Sequence, residues 1–280
     1  MSDLDQLMRE RIQRDGPITF AEYMRMALYE PGYGYYVTGA AKMGWEADYF
    51  TSTDVSNLFA HCMGRQLFAM WEKLKRPEHF VVLEQGAGRG NLAEGVQLWA
   101  QKEAPEFFEV LDYRSEDIRG GEDAVASNES AQSNQERPSV VLSNELVDAF
   151  PVHVVEKRGE RLYEVVVDVL EDGRLYEVLD ELSRSEVANY LDKYKIPWRT
   201  FEGGWRAEVN LDALRWMQRT AGLLRKGFIL TIDYGDKARG LYTEWRRRGT
   251  LLCYYKHQAN ERPLLHPASR ISRRMSISAR

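Results

Sequence analysis

Glu84-Gln85-Gly86-Ala87-Gly88-Arg89-Gly90 follows the apolar run Val81-Val82-Leu83, so an acid and three alternating glycines stand where a buried strand should end. Glycines so spaced let backbone N–H groups come close to a small ligand, because glycine accepts φ > 0 and carries no Cβ. The spacing is G-x-G-x-G, with Asn91 where the dinucleotide fingerprint needs its last glycine, and no Gly-Lys-Ser/Thr marks a phosphate loop. An ordinary Gly-rich strand-to-helix turn is the plain alternative. Two further polar clusters also follow apolar runs: Ser143-Asn144-Glu145 with Asp148, and Asp233-Tyr234-Gly235. Each acid alone reads as a helix cap or a solvated loop residue. Three clusters at the carboxyl ends of predicted strands read as the rim of a site.

The elements that must carry these clusters are predicted as follows. Residues 1–13 form a short amphipathic helix. A second helix starts after Asp15-Gly16-Pro17-Ile18-Thr19, with Thr19 as cap and Glu22 completing a capping box. Pro31-Gly32-Tyr33-Gly34-Tyr35-Tyr36 must turn, and its aromatics make either a packing corner or a wall around a ligand. Residues 44–53 continue as loop, and Asp54 caps a helix to about residue 70. Core strands are expected over 80–84, 139–143 and 228–233, with a helix over 91–99 after the glycines. Alternating residues over 152–179, with turns at Gly159 and Asp172-Gly173, predict antiparallel hairpins. Helical periodicity returns over 185–194 and 211–224, with Gly227 ending the second stretch. Strands alternating with helices imply an α/β parallel sheet, with the hairpins inserted at its rim.

The chain has 280 residues, 44% hydrophobic, with a formal net charge of −5. That is enough to bury a full core, and no apolar run approaches the roughly 18 residues a membrane helix needs. Membrane insertion is therefore not expected. The acidic start lacks the form of a signal peptide, so the cytoplasm is the expected location. Cys62 and Cys253 belong to no ligand spacing; no metal is expected, and both thiols are expected to be buried. An acidic balance argues against general nucleic-acid binding. Arg246-Arg247-Arg248 is a local exception, either a solvated surface run or a partner contact.

G-x-G-x-G directly after a strand-terminal acid is the pattern of class I S-adenosylmethionine-dependent methyltransferases. In such chemistry the protein must hold nucleophile and methyl carbon in line, a proximity effect that can supply on the order of 7–11 kcal/mol at its upper end. Glu145 would orient a cationic nucleophile and accept its proton, and Asn144 would align it by hydrogen bonds.

More motifs occur in order: Ile18-Thr19-Phe20-Ala21-Glu22-Tyr23-Met24, Pro31 to Tyr36, Asp48-Tyr49-Phe50-Thr51-Ser52, the glycine loop, Asn144-Glu145-Leu146-Val147-Asp148-Ala149-Phe150-Pro151, Asp233-Tyr234-Gly235, and Gly249-Thr250-Leu251 with Tyr254 and His257. Together they resemble the MidA-like family of S-adenosylmethionine-dependent methyltransferases, which includes a mitochondrial assembly factor of respiratory complex I. The resemblance implies a class I, Rossmann-like methyltransferase fold with S-adenosylmethionine as cofactor. It implies a protein acceptor, arginine foremost, with a respiratory complex subunit among the candidates. By motif match, Glu84, Gly86, Ala87, Gly88 and Gly90 would line the cofactor, while Asn144, Glu145 and Asp148 would face the methyl group or its acceptor. The Tyr33–Tyr36 and Asp48–Thr53 loops would cover the pocket. A catalytically silent binding or assembly factor on the same scaffold is the alternative, and an α/β oxidoreductase is disfavoured by the glycine spacing.

The implied organisation is a helical, Tyr/Gly-rich lid region over 1–75, a first core half over 76–151, a hairpin and helix insertion over 152–210, a second core half over 211–267, and a basic tail over 268–280. Family members place an acid that binds the ribose hydroxyls at the tip of a second apolar strand. Here residues 115–138 are polar and Ser/Asn/Glu-rich, so disorder is expected and no strand is expected to position Glu116 or Asp117. Beyond Pro267 the family continues with Gly-x-x-Asp-Ile-Thr-x-His-Val-Asn-Phe and further sheet and helix. A shifted-frame reading of this tail restores that motif, so the tail is expected to be a frameshifted end with C-terminal sheet elements missing.

Overall fold

The computed structural model describes residues 3–38, 57–116, 137–255, 258–265, 270–273 and 275–277. The expected Asp48–Thr53 loop, the Asp54 cap, Asp117 and His257 lie outside them. The chain forms two compact units: Met1–Lys42, Val147–Arg215 and Tyr234–Arg280 make the first, and Met43–Leu146 with Trp216–Asp233 make the second.

The second unit carries the parallel sheet. Its strands are β2 (Phe80–Gln85), β3 (Leu111–Glu116), β4 (Val140–Asn144) and β9 (Phe228–Ile232), in the order β3-β2-β4-β9 and all parallel. The central strands β2 and β4 are almost wholly buried, as their unbroken apolar runs require in a sheet covered on both faces. Helices α3 (Asn57–Lys73), α4 (Asn91–Glu103) and α5 (Pro105–Phe108) supply Leu67, Trp71, Leu92, Val96 and Phe107 to a core shared with Phe80, Val82, Val140 and Leu142. The Phe107 ring lies 5.5 Å from both Phe80 and Trp71, centroid to centroid, within the range that favours tilted and edge-on aromatic contact.

The first unit is built on an antiparallel sheet of β1 (Ile18–Thr19), β5 (His153–Arg158), β6 (Arg161–Val169), β7 (Leu175–Asp180) and β8 (Arg206–Val209). The predicted hairpins are β5–β6 and β6–β7. Gly159 takes φ 54 in the two-residue β5–β6 loop, which needs a glycine at its first position to match strand twist. β1 pairs with β6 through Ile18↔Val167 and Thr19↔Val166. Helix α1 (Asp3–Asp15) buries Leu4, Met8 and Ile12, one stripe at four-residue spacing. Helix α2 (Phe20–Tyr29) is capped as predicted, Thr19 Oγ1 accepting from Glu22 N–H at 3.1 Å. The Glu22 carboxylate pairs with Arg11 rather than closing the box. Val155, Trp205 and Val209 pack against Val187, Tyr190 and Leu191 of α6 (Ser185–Lys193).

Helix α7 (Leu211–Leu223) links the units in sequence. In the first unit, β10 (Gly235–Lys237), α8 (Ala238–Leu241), β11 (Leu251–Tyr255) and β12 (Gln258–Asn260) follow. Part of the tail forms backbone pairs: β13 (Arg270–Arg273) with β11, and β14 (Met275–Ile277) with β10.

Two further expectations are corrected. β3 exists and carries Glu116 at its tip; its half-exposed pattern reflects an edge strand bonded on one side, so no apolar run announces it. Cys62 is exposed, because it falls on the outward face of α3, while Cys253 is buried as expected. The sequence also gives no sign of β8, whose four residues include Arg206 and Glu208.

Candidate active site

In an open α/β sheet a ligand crevice opens at the carboxyl ends of strands where the chain reverses its direction across the sheet. Here the chain passes from β2 outward to β3, then returns to the other flank of β2 as β4. The loops leaving β2 and β4 therefore flank the switch point, and they are the two loops singled out by the sequence.

The β2 loop needs all three of its glycines. Gly86, Gly88 and Gly90 have φ of 77°, 54° and 80°, in the left-handed region that side chains occupy at a cost of roughly 1–2 kcal/mol each. At Gly86 a Cβ would also stand 2.9 Å from Leu146 Cδ1, so the β4 loop closes directly over this glycine. Gly90 caps α4. The Gly86 and Ala87 amides both donate to the Glu116 carbonyl, at 2.8 and 3.2 Å. The edge strand thus fixes the loop, and it sets Glu116 in register with Gln85, beside the glycines.

Glu84, the last acid before the loop, is 3% exposed. Tyr113 of β3 donates its hydroxyl to Glu84 Oε2 at 3.0 Å. Burial outweighs that bond and pushes the Glu84 carboxyl up to about 7. Gln85 points to the opposite face, where its Oε1 accepts from Trp216 Nε1 at 2.9 Å. The two residues are braces under the loop, made from β2 side chains of opposite orientation.

On β4, Ser143 donates to Thr231 Oγ1 at 3.2 Å. Asn144 follows, and its Oδ1 is buried with no hydrogen-bond partner among the described residues. Glu145 is half-buried, with φ 50. A glutamate held in the left-handed region is strained, and its N–H bond to the Ile232 carbonyl, at 2.9 Å, helps to hold it there. Asp233, directly after β9, is half-buried.

Of the expected residues, the second unit gathers Glu84, Gly86, Ala87, Gly88, Gly90, Asn144 and Glu145 at one sheet edge and adds Glu116 and Tyr113. Asp148 belongs to the first unit, 2% exposed in the 3₁₀ turn Val147–Ala149. So does the tyrosine turn. There Tyr35 is buried, its ring meets Tyr36 edge-on at 5.2 Å, and Tyr36 stacks on Tyr29 at 5.6 Å, which makes the packing corner the observed arrangement. No group of three or more His, Cys, Asp or Glu side chains suited to a metal occurs among the described residues. No described helix is long and apolar enough to cross a membrane.

Comparison with known proteins bears on the same site. Residues 62–270 match the family described as "Putative S-adenosyl-L-methionine-dependent methyltransferase". The chain is similar to the mitochondrial protein arginine methyltransferase NDUFAF7 homolog of Drosophila melanogaster, 29% identical over 94% of this chain and 65% of that protein. It thus spans slightly less than two thirds of that relative's length. A Burkholderia thailandensis protein solved bound to S-adenosyl-homocysteine superposes with a TM-score of 0.81 at 28% identity, covering 98% of this chain and 73% of that one. A native structure from the same organism gives 0.79 at 27%, covering 98% and 72%. The match extends over most of the chain; the protein belongs to this MidA-like family of S-adenosyl-L-methionine-dependent methyltransferases.

Proposed function

We propose that this chain transfers a methyl group from S-adenosylmethionine to a protein side chain, with arginine the leading acceptor. The observation that carries the proposal is the set of three left-handed glycines at the switch point of the parallel sheet. The similar Burkholderia protein is solved with S-adenosyl-homocysteine, and the similar fly protein is named an arginine methyltransferase.

The residues present fit the cofactor. Among the described residues nothing stands within 4 Å of where a Gly90 Cβ would be, so backbone is left bare at the end of the loop. Asn144 Oδ1 is a buried acceptor in need of a donor. Glu84, Gly86, Ala87, Gly88 and Gly90 would form the wall of the cofactor site, with the Glu116 carboxylate at the β3 tip as acceptor for the sugar hydroxyls. When bound, S-adenosylmethionine supplies a methyl group already activated on a positively charged sulfur.

The remaining work falls to the chain's own side chains. A guanidinium is a poor nucleophile until a proton leaves, and the Glu145 carboxylate is assigned to orient it and take that proton. Asn144 is assigned to align the acceptor. The acceptor is a protein, and a respiratory complex subunit is consistent with the fly relative's name.

Calorimetric titration with S-adenosylmethionine and S-adenosyl-homocysteine tests the cofactor, and the proposal requires both to bind. Labelled methyl transfer into a cell lysate, followed by acid hydrolysis and separation of methylated amino acids, tests the acceptor. Label in methylarginine supports the full reading. Label in methyllysine alone would reject arginine, and absence of cofactor binding would reject the activity.

A further inference from the structure

The basic run of the sequence takes part in none of the chemistry above, yet it is not a loose surface loop. Arg246, Arg247 and Arg248 join Arg206 and Arg262 around one cavity of about 1070 Å³, all within the first unit. That volume reaches the upper end of ordinary ligand pockets, so it admits several side chains at once.

The loop carrying the arginines is held from its backbone. Arg206 N–H, at the start of β8, donates to the Arg247 carbonyl at 2.9 Å, and residues 206 and 248 form a β-bridge. Thr250 donates its N–H and its hydroxyl to the Glu208 carboxylate, at 2.7 and 2.9 Å. Gly249 lies between them at φ 77, and the Glu208 carboxylate occupies the place a Cβ would take. Only glycine fits there.

The guanidiniums divide by what they already hold. Arg206 is engaged by Glu156 and Glu177, and Arg247 by Glu202 and the Gly203 carbonyl. Arg248 has one exposed carboxylate, Glu261, at 3.5 Å. Arg262 uses its backbone N–H on Asn260 Oδ1, while its exposed guanidinium makes no ion pair or hydrogen bond among the described residues. Five arginines and two glutamates, Glu177 and Glu261, line the cavity; Glu156 and Glu202 also pair with Arg206 and Arg247, and Arg246 Nε donates to the Gly240 carbonyl, so Arg248 and Arg262 carry the charge least matched from within the chain.

We propose that this cavity docks an acidic segment of the acceptor protein, one that carries apolar residues between its carboxylates. The proposal rests on the reading that the acceptor is a protein. Charge complementarity selects carboxylates, which arginine pairs with bidentately. The lining also includes Phe20, Val154, Leu251 and Leu252, a surface suited to aliphatic side chains. A nucleic-acid backbone would leave that apolar lining unmatched.

The test is fluorescence anisotropy on the full chain with a labelled octapeptide alternating leucine with glutamate and aspartate. The same peptide with lysine for each acid, and a single-stranded DNA octamer, serve as competing probes. Variants are Arg248→Glu/Arg262→Glu and the milder Arg248→Gln/Arg262→Gln, each checked for fold by circular dichroism. The acidic peptide should bind the unaltered chain, weaken with added salt, and lose at least about tenfold in affinity in the Glu pair, less in the Gln pair. S-adenosyl-homocysteine affinity, titrated alongside, should be the same in all three proteins. No binding of the acidic peptide, tighter binding of DNA or the lysine peptide, or folded variants that bind like the parent would overturn the docking site. Failure of the unaltered chain to bind S-adenosyl-homocysteine would instead overturn the methyltransferase reading, so the two titrations separate the two failures.

Discussion

Replacing Glu84 by glutamine should change how stability depends on pH. Glu84 is 3% exposed, and burial moves its carboxyl from the ordinary 4.5 to about 7. Between those values the unfolded chain gives up the proton while the folded chain keeps it, so the folded state loses stability as pH rises. The loss begins near 4.5, is complete above about 7, and amounts to roughly 3 kcal/mol at about 1.36 kcal/mol per pH unit. Glutamine has no proton to release, and its Oε1 still accepts from the Tyr113 hydroxyl that Glu84 engages at 3.0 Å. All other titrating groups are common to both proteins. Subtracting the two urea-unfolding free energies at pH 4.5, 6 and 8 therefore isolates this carboxyl. Glu84→Gln should gain on the parent by roughly 3 kcal/mol between the lowest and highest pH. A difference constant to within about 0.5 kcal/mol over that range would refute the argument that burial holds Glu84 protonated.

Gly86→Ala should destabilise by about 2 kcal/mol in urea unfolding, from its positive φ and the displaced Leu146, and should weaken S-adenosyl-homocysteine binding; unchanged calorimetric affinity would contradict the role of the loop. Glu145→Gln should leave that affinity intact and slow labelled methyl transfer by on the order of 10²–10⁴, the range for a lost general base. Thr19→Ala removes the hydroxyl that caps α2 and should cost about 1 kcal/mol, read as a lower urea midpoint. Phe107→Ala empties the centre of the ring cluster with Phe68, Trp71 and Phe80 and should cost about 3–5 kcal/mol by the same measurement.

The parts of the fold legible in the sequence are those whose physics is local or whose burial is two-sided. β2 and β4 read as apolar runs because helices or loops cover both faces, and the hairpin turns read from Gly159 and Gly173, both with positive φ. β3 and β8 are hidden for opposite reasons. β3 is an edge strand that leaves Asp112 and Ser115 exposed, so its pattern carries little hydrophobic signal. β8 buries Glu208, whose burial is made tolerable by Thr250, a partner 42 residues away that no local window contains. The same limit applies to the site. The glycine loop and Asn144-Glu145 are contiguous motifs, whereas Glu116 joins them only through strand pairing, and the arginine cavity is assembled from six separate stretches of chain.

The pairing of β1 with β6 sets a timetable for synthesis. Ile18 leaves the ribosome nearly 150 residues before its partner Val167. At about 5–20 residues per second the wait is roughly 7–30 s, long against the microseconds in which helices form. Throughout it the apolar stripes of α1 and α2, Leu4, Met8 and Ile12 on one and Tyr23, Met24 and Leu28 on the other, have no sheet to cover them. Between the emergence of Ile18 and that of Val167 the nascent chain thus carries an uncovered apolar segment, the kind of surface that invites aggregation.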